Sequence, residues 1–218
     1  MQKIVSTYSN TGSFAHVLQT FALSLLVSFV GMLVGAMFIP VSLVPLFVVI
    51  ELVMLVAVIV IRIKGRQIGY PFLYSFTAVS GVTLYPVIER YGGIIGANLV
   101  SAAFFATAAI FGGLAFYAYR SRRDFSYLGG FLFAATIGLV IMSLAALFIP
   151  VGSTMNLVWS ALGILIFSGW VLYDVSQYKD GVAAEEVPLA ALNIYLDFIN
   201  LFLYILRFLA SLAGFNRD

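Results

Sequence analysis

The chain has 218 residues, of which 63% are hydrophobic and 9% charged, and it carries a net charge of +2. That charged share is about a third of the share in an ordinary soluble domain, which excludes the soluble globular classes and makes this an integral membrane protein. With no cysteine, disulfide scaffolds, thiol catalysis and cysteine metal clusters are excluded, and so small a net charge gives no footing for nucleic acid.

Crossing a hydrocarbon core of about 30 Å takes about 20 mostly apolar residues in a helix. Seven stretches qualify, at approximately 14–38, 42–63, 70–88, 94–118, 127–149, 154–178 and 187–212. Lipid obliges each to satisfy its own backbone hydrogen bonds, so they are helices. The fold class expected is all-α integral membrane: a seven-transmembrane-helix bundle, one polytopic domain over 1–218. The first run, Phe14 to Phe38, is too long for the core of a cleaved signal peptide and reads as a helix that stays. His16 begins it as an interfacial residue. The segment Phe38-Ile39-Pro40-Val41 recurs as Phe148-Ile149-Pro150-Val151; two outward hairpin turns that both use proline explain this more simply than duplication.

Basic residues orient the spans. Arg62, Lys64 and Arg66 follow span two, Arg120, Arg122 and Arg123 follow span four, and Lys179 follows span six. These turns are expected in the cytoplasm, together with the N-terminus and Lys3. The opposite turns hold only Arg90 and are marked by Pro40, Pro45, Gly92, Gly93, Pro150 and Gly152. A complete seventh crossing places the C-terminus outside, although Arg207 and Arg217 run against that count.

Four ionisable residues lie where lipid should exclude them: Glu51, Arg62, Asp174 and Asp197. At the centre of a span, a charged residue such as Asp or Arg costs about 2.5–3.5 kcal/mol on insertion scales and asks for a partner or a wet cavity. Glu51 and Arg62 are eleven residues apart in span two, on one face and about 16 Å from each other. Glu51 has no adjacent cation in sequence and reads as part of an ion or proton path. Arg62 reads either as a snorkelling topological marker or as a partner at the cytoplasmic level of Asp174. Asp174 lies about one turn from the end of span six, where an acid can also reach headgroup water. In span seven, Asn193, Asp197, Asn200, Tyr204, Arg207 and Ser211 are spaced 4-3-4-3-4, which confines them to one narrow stripe. Such a stripe faces protein or water, so span seven is expected in the middle of the bundle, with Glu51, Asn193, Asn200 and Tyr204 as candidate pore-lining residues.

Spans six and seven are joined by a short loop and should be neighbours, with Asp174 about 6 Å and Asp197 about 10–15 Å below the cytoplasmic interface. If helix tilt or crossing closes that gap, the two carboxylates cannot both ionise freely and tend to hold one proton between them. Deprotonated, they offer the hard oxygen ligands that Ca²⁺ prefers, or a counter-charge for Arg62. An Asp174–Arg62 tie that responds to protons and cations would serve as a gate.

Phe167-Ser168-Gly169-Trp170-Val171-Leu172-Tyr173-Asp174 and Ala191-Leu192-Asn193-Ile194-Tyr195-Leu196-Asp197-Phe198-Ile199-Asn200-Leu201-Phe202 resemble the last two helices of the transmembrane Bax-inhibitor-motif family. The likeness extends to Tyr74-Ser75-Phe76-Thr77-Ala78-Val79-Ser80-Gly81-Val82-Thr83-Leu84-Tyr85-Pro86 and to the Glu51 and Arg62 spacing, and it looks closest to bacterial members. The resemblance implies seven helices with the last in the middle, and a pH-sensitive calcium leak controlled by a di-aspartyl sensor. Asp174 and Asp197 match the sensor, Arg62 the latching arginine, and Glu51 an acidic residue of the pore region. It further implies the plasma membrane of a bacterium, with no permanently bound cofactor, calcium as permeant or regulatory ligand, and lipid, calcium and protons as partners. A monomer is compatible with this, and no enzymatic activity is expected.

Two other functions use the same carboxylates. A proton-coupled cation exchanger is the first. The second, an intramembrane aspartyl protease, fits Tyr173-Asp174 but lacks Gly-x-Gly-Asp before Asp197 and any following Pro-Ala-Leu.

Overall fold

The computed structural model describes residues 11–146, 148 and 152–215. Lys3, Arg217 and the Ile149-Pro150-Val151 part of the second Phe-Ile-Pro-Val segment lie outside the described residues. Seven α-helices follow one another: α1 (Phe14–Phe38), α2 (Val44–Ile63, entered through the 3-10 turn Val41–Leu43), α3 (Tyr70–Ile95), α4 (Ala97–Arg120), α5 (Leu128–Ala145), α6 (Ser153–Tyr178) and α7 (Val187–Phe215). All seven are long and apolar enough to cross a membrane. Two short strands, β1 (Thr11–Gly12) and β2 (Val182–Ala183), pair antiparallel with Thr11 opposite Ala183. Large apolar side chains such as Met37, Val53, Phe105, Phe131 and Leu165 are exposed, which suits hydrocarbon rather than water as the surrounding medium.

One turn differs from the sequence expectation. Arg90, Gly92 and Gly93 lie inside α3, which runs past 88 to Ile95, and the reversal narrows to Gly96 at φ +85°. Only a residue without Cβ takes that conformation at little cost, so the chain turns at the glycine after the helix rather than at the pair within it.

The chain divides into two compact units, residues 1–89 with 178–195, and residues 90–177 with 196–218. In the first, α1 begins at Ser13, whose hydroxyl accepts a hydrogen bond from the His16 N–H at 3.2 Å and satisfies one orphan donor. Its buried residues, Val17, Thr20, Phe21, Ser24, Ser28, Gly31 and Gly35, recur every three or four positions. That spacing makes one stripe, and it is built mostly of small side chains. A Cβ on Gly31 would overlap the Ala78 carbonyl, and one on Gly81 would overlap the Ser28 carbonyl. The backbones of α1 and α3 therefore touch, the close approach by which helices gain dispersion contacts where lipid removes the hydrophobic drive to associate. Just past α1, the Ile39 carbonyl accepts a bond from the Tyr85 hydroxyl at 2.7 Å. By contrast, α2 buries only Val44 along its length.

In the second unit the Trp170 indole N–H of α6 donates to Thr136 Oγ1 of α5 at 2.8 Å, and Leu132 and Tyr173 fill the spaces over Gly169 and Gly129. Phe198 and Phe202 of α7 meet Phe104 of α4 edge-on at 6.0 and 6.3 Å, and Phe198 meets Phe111 at 5.4 Å. These are favoured aromatic geometries.

The last helix supplies core to both units. Val187, Ala191, Leu192, Ile194 and Tyr195 are buried in the first, and Phe198, Leu201, Phe202, Ile205 and Leu206 in the second. Of the seven helices α7 is the most buried and α2 the least, in keeping with the central place expected for span seven.

Candidate functional site

The two aspartates of α6 and α7 that sequence reasoning singled out meet in the second unit. Asp174 stands one turn before the end of α6 at Tyr178, and Asp197 ten residues into α7. Each is only 5% exposed. Their carboxyl groups lie within hydrogen-bonding reach of each other and interact electrostatically. The separation that helical rise alone suggested is therefore closed, and the two acids form a pair. Asp197 Oδ2 is fully buried and receives no hydrogen bond from a donor among the described residues. Two carboxyl groups in that relation need a proton or a cation between them. No group of three or more acidic, histidine or cysteine side chains that could hold a metal is found among the described residues. A hard cation at the pair, which takes 6–8 oxygen ligands when it is calcium, would thus draw most of its shell from water or neutral oxygens.

The remaining stripe residues are held by neighbours. Asn193 Nδ2 donates to the Tyr178 hydroxyl at 2.7 Å, in the first unit. Asn200 Nδ2 bonds back to the Leu196 carbonyl at 2.8 Å, and Ser211 likewise to Arg207 at 3.0 Å. The Tyr204 ring stacks on Phe167 at 5.6 Å, covers Gly163, and carries the Arg207 guanidinium 5.8 Å from its centroid. Its hydroxyl is within reach of Ser143.

Glu51 and Arg62 belong to the first unit. Arg62 lies in the last turn of α2 and is exposed. Glu51 accepts a hydrogen bond from Thr83 Oγ1 of α3 at 2.8 Å. Close by, the fully buried Tyr195 donates to Ser28 Oγ at 2.8 Å, has Ser80 within reach, and feels the charge of Glu51. Sequence reasoning missed Thr83, Ser80, Ser28 and Tyr195 as the polar neighbours gathered here. The signal available was Thr77, Ser80 and Thr83, every third residue of α3, opposite a span that carries an unmatched glutamate.

A family model described as "Inhibitor of apoptosis-promoting Bax1" matches residues 11–214. The chain belongs to that family. Among Bax1-inhibitor relatives, the Bax inhibitor 1 of Schizosaccharomyces pombe is 35% identical over 150 residues, 69% of this chain and 54% of that protein. The Golgi anti-apoptotic protein of Vaccinia virus (strain Lister) is 40% identical over 141 residues, 65% of this chain and 55% of the viral protein. An uncharacterised protein of Campylobacter jejuni is 34% identical over 203 residues, 88% of this chain and 85% of that one. The chain spans about half the length of the yeast and viral relatives it matches. It is thus a multi-pass membrane protein of the Bax1-inhibitor family with bacterial homologues.

Proposed function

We propose that this protein is a pH-dependent calcium leak across a membrane, with Asp174 and Asp197 as its sensor and cation ligands. The observation that carries the reading is the buried carboxyl pair, in which Asp197 Oδ2 has no donor among the described residues. Such a pair changes its occupancy when protons or divalent cations change in concentration, and a change of charge inside a low-dielectric span shifts the balance between two helix arrangements. Arg62 supplies the latch cation of the closed state in this reading. Glu51, Asn193, Asn200 and Tyr204 are the proposed pore-side groups, protons and calcium the ligands, and lipid the partner. The setting is the plasma membrane of a bacterium, N-terminus inside, and the activity is not enzymatic.

Purified protein in liposomes loaded with a calcium indicator tests this. Wild type should pass calcium at a rate that depends on pH, without an obligatory counterflow of protons. The double change Asp174→Asn and Asp197→Asn should flatten the pH profile, and Arg62→Ala should raise basal flux. A profile unchanged in the double variant removes the sensor, and a strict proton countercurrent replaces the leak with an exchanger.

A further inference from the structure

Glu51 is the eighth residue of α2, close to the middle of its span, and is half-buried. Thr83 Oγ1 stands 2.8 Å from Glu51 Oε2 and, at the same time, 2.9 Å from the Ser80 carbonyl oxygen in the preceding turn of α3. A threonine hydroxyl has one hydrogen and two acceptor lone pairs. Its hydrogen can serve one of these two oxygens at full strength, and the other needs a different arrangement.

Among the described residues, the surroundings of Glu51 supply no cation. From α7, Tyr195 is the titratable group that faces it. From α3 comes the Thr83 hydroxyl, while Tyr195 gives its own hydroxyl hydrogen to Ser28 Oγ of α1. No Lys, Arg or His among the described residues pairs with Glu51. The charge of Glu51 is therefore cancelled in place only by a bound proton or a visiting cation.

We propose that Glu51 and Thr83 form a proton-binding site, additional to the aspartate pair, whose hydrogen bond reverses direction when the proton arrives. With Glu51 ionised, Thr83 Oγ1–H donates to Oε2. When water delivers a proton to Oε2, the new carboxyl O–H donates to Thr83 Oγ1, and the threonine hydrogen turns to the Ser80 carbonyl. Both states leave every donor matched, and neither requires a backbone change. Thr83 is a positioning residue: it accepts the Glu51 hydrogen bond without itself gaining or losing a proton. The site links α2, the least buried helix, to α3, which is locked backbone to backbone on α1.

Infrared difference spectra of the full-length protein in lipid, recorded across a pH titration, read the protonated carboxyl C=O stretch directly. The expected result is one band that disappears in Glu51→Gln, shifts in frequency and titration midpoint in Thr83→Val, which removes the hydroxyl at nearly constant shape, and returns to its wild-type position in Thr83→Ser. The same band should persist in the Asp174→Asn, Asp197→Asn double variant. A spectrum unchanged by Glu51→Gln overturns the site, as does a Thr83→Val spectrum that overlays wild type. Because the band does not depend on calcium conduction, loss of the leak reading and loss of this site are separate results.

Discussion

At the scale of single residues, the contrast between Tyr195 and Asp197 shows how burial within a membrane is made tolerable. Two positions apart on one helix, the tyrosine gives its hydroxyl a partner, Ser28 Oγ at 2.8 Å, whereas one oxygen of the aspartate has no donor among the described residues. A satisfied group of that type is structural. Tyr195→Phe should therefore cost only the net value of one membrane hydrogen bond, about 0.6 kcal/mol and at most about 1.7. Tyr195→Ala, which empties a fully buried aromatic site against Phe76, should cost about 3–5 kcal/mol. Reversible unfolding in mixed detergent micelles measures both, and equal losses would show that the hydroxyl matters more than the ring. The same distinction explains what could be read of the site in advance. Glu51, Asp174 and Asp197 stand out because a carboxylate is conspicuous in an apolar run. Thr83, Ser28 and Ser80 do not, because hydroxyls are common in spans and usually bond back to their own helix, as Ser24 does to Thr20 and Thr107 to Ala103. Only the packing of α2 against α3, and of α7 against α1 and α3, gives them a second partner.

Among the elements, α1 and α3 are joined most tightly. Where a glycine Cβ would meet a neighbouring carbonyl, no rotamer change relieves the overlap, and the helices must separate. Gly81→Val and Gly31→Val should each destabilise by about 1–3 kcal/mol or more, while Gly112→Val and Gly138→Val, with nothing within 4 Å of the added carbon, should differ by only a few tenths from the helix-propensity change alone. Thermal stability in detergent separates the two classes. The seven spans were legible because each is a long apolar run, and length in lipid leaves little choice of conformation. The end of α3 was not. Arg90, Gly92 and Gly93 look like a turn by composition, and only the backbone of Gly96 decides where the chain reverses. The aspartate pairing was implied by the family resemblance and by the short loop between spans six and seven, but hydrophobic periodicity alone could not fix it, since it depends on how α6 and α7 cross.

For the molecule as a whole, the unequal distribution of basic residues at the two sets of helix ends is the basis of the proposed orientation, and the absence of cysteine makes that orientation directly measurable. Single cysteines introduced at Asn98, in the first turn of α4, and at Ser126, in the turn after it, occupy opposite ends of one helix and are exposed. In right-side-out vesicles a membrane-impermeant maleimide should label Asn98→Cys at once and Ser126→Cys only after permeabilisation. The opposite pattern inverts the topology and sends the aspartate pair to the other face.

The two-residue ladder between β1 and β2 has a further consequence, for biogenesis. Thr11 leaves the ribosome before any of the spans, yet its partner Ala183 emerges only after six of them. The ladder cannot close until the segment between α6 and α7 has been made, so the two ends of this long circuit wait for each other while six spans are synthesised. A chain arrested just after α6 would hold six inserted helices and an unengaged leading segment open to proteolysis. Extending it past Val187, which packs against Gly12, is what lets that segment dock.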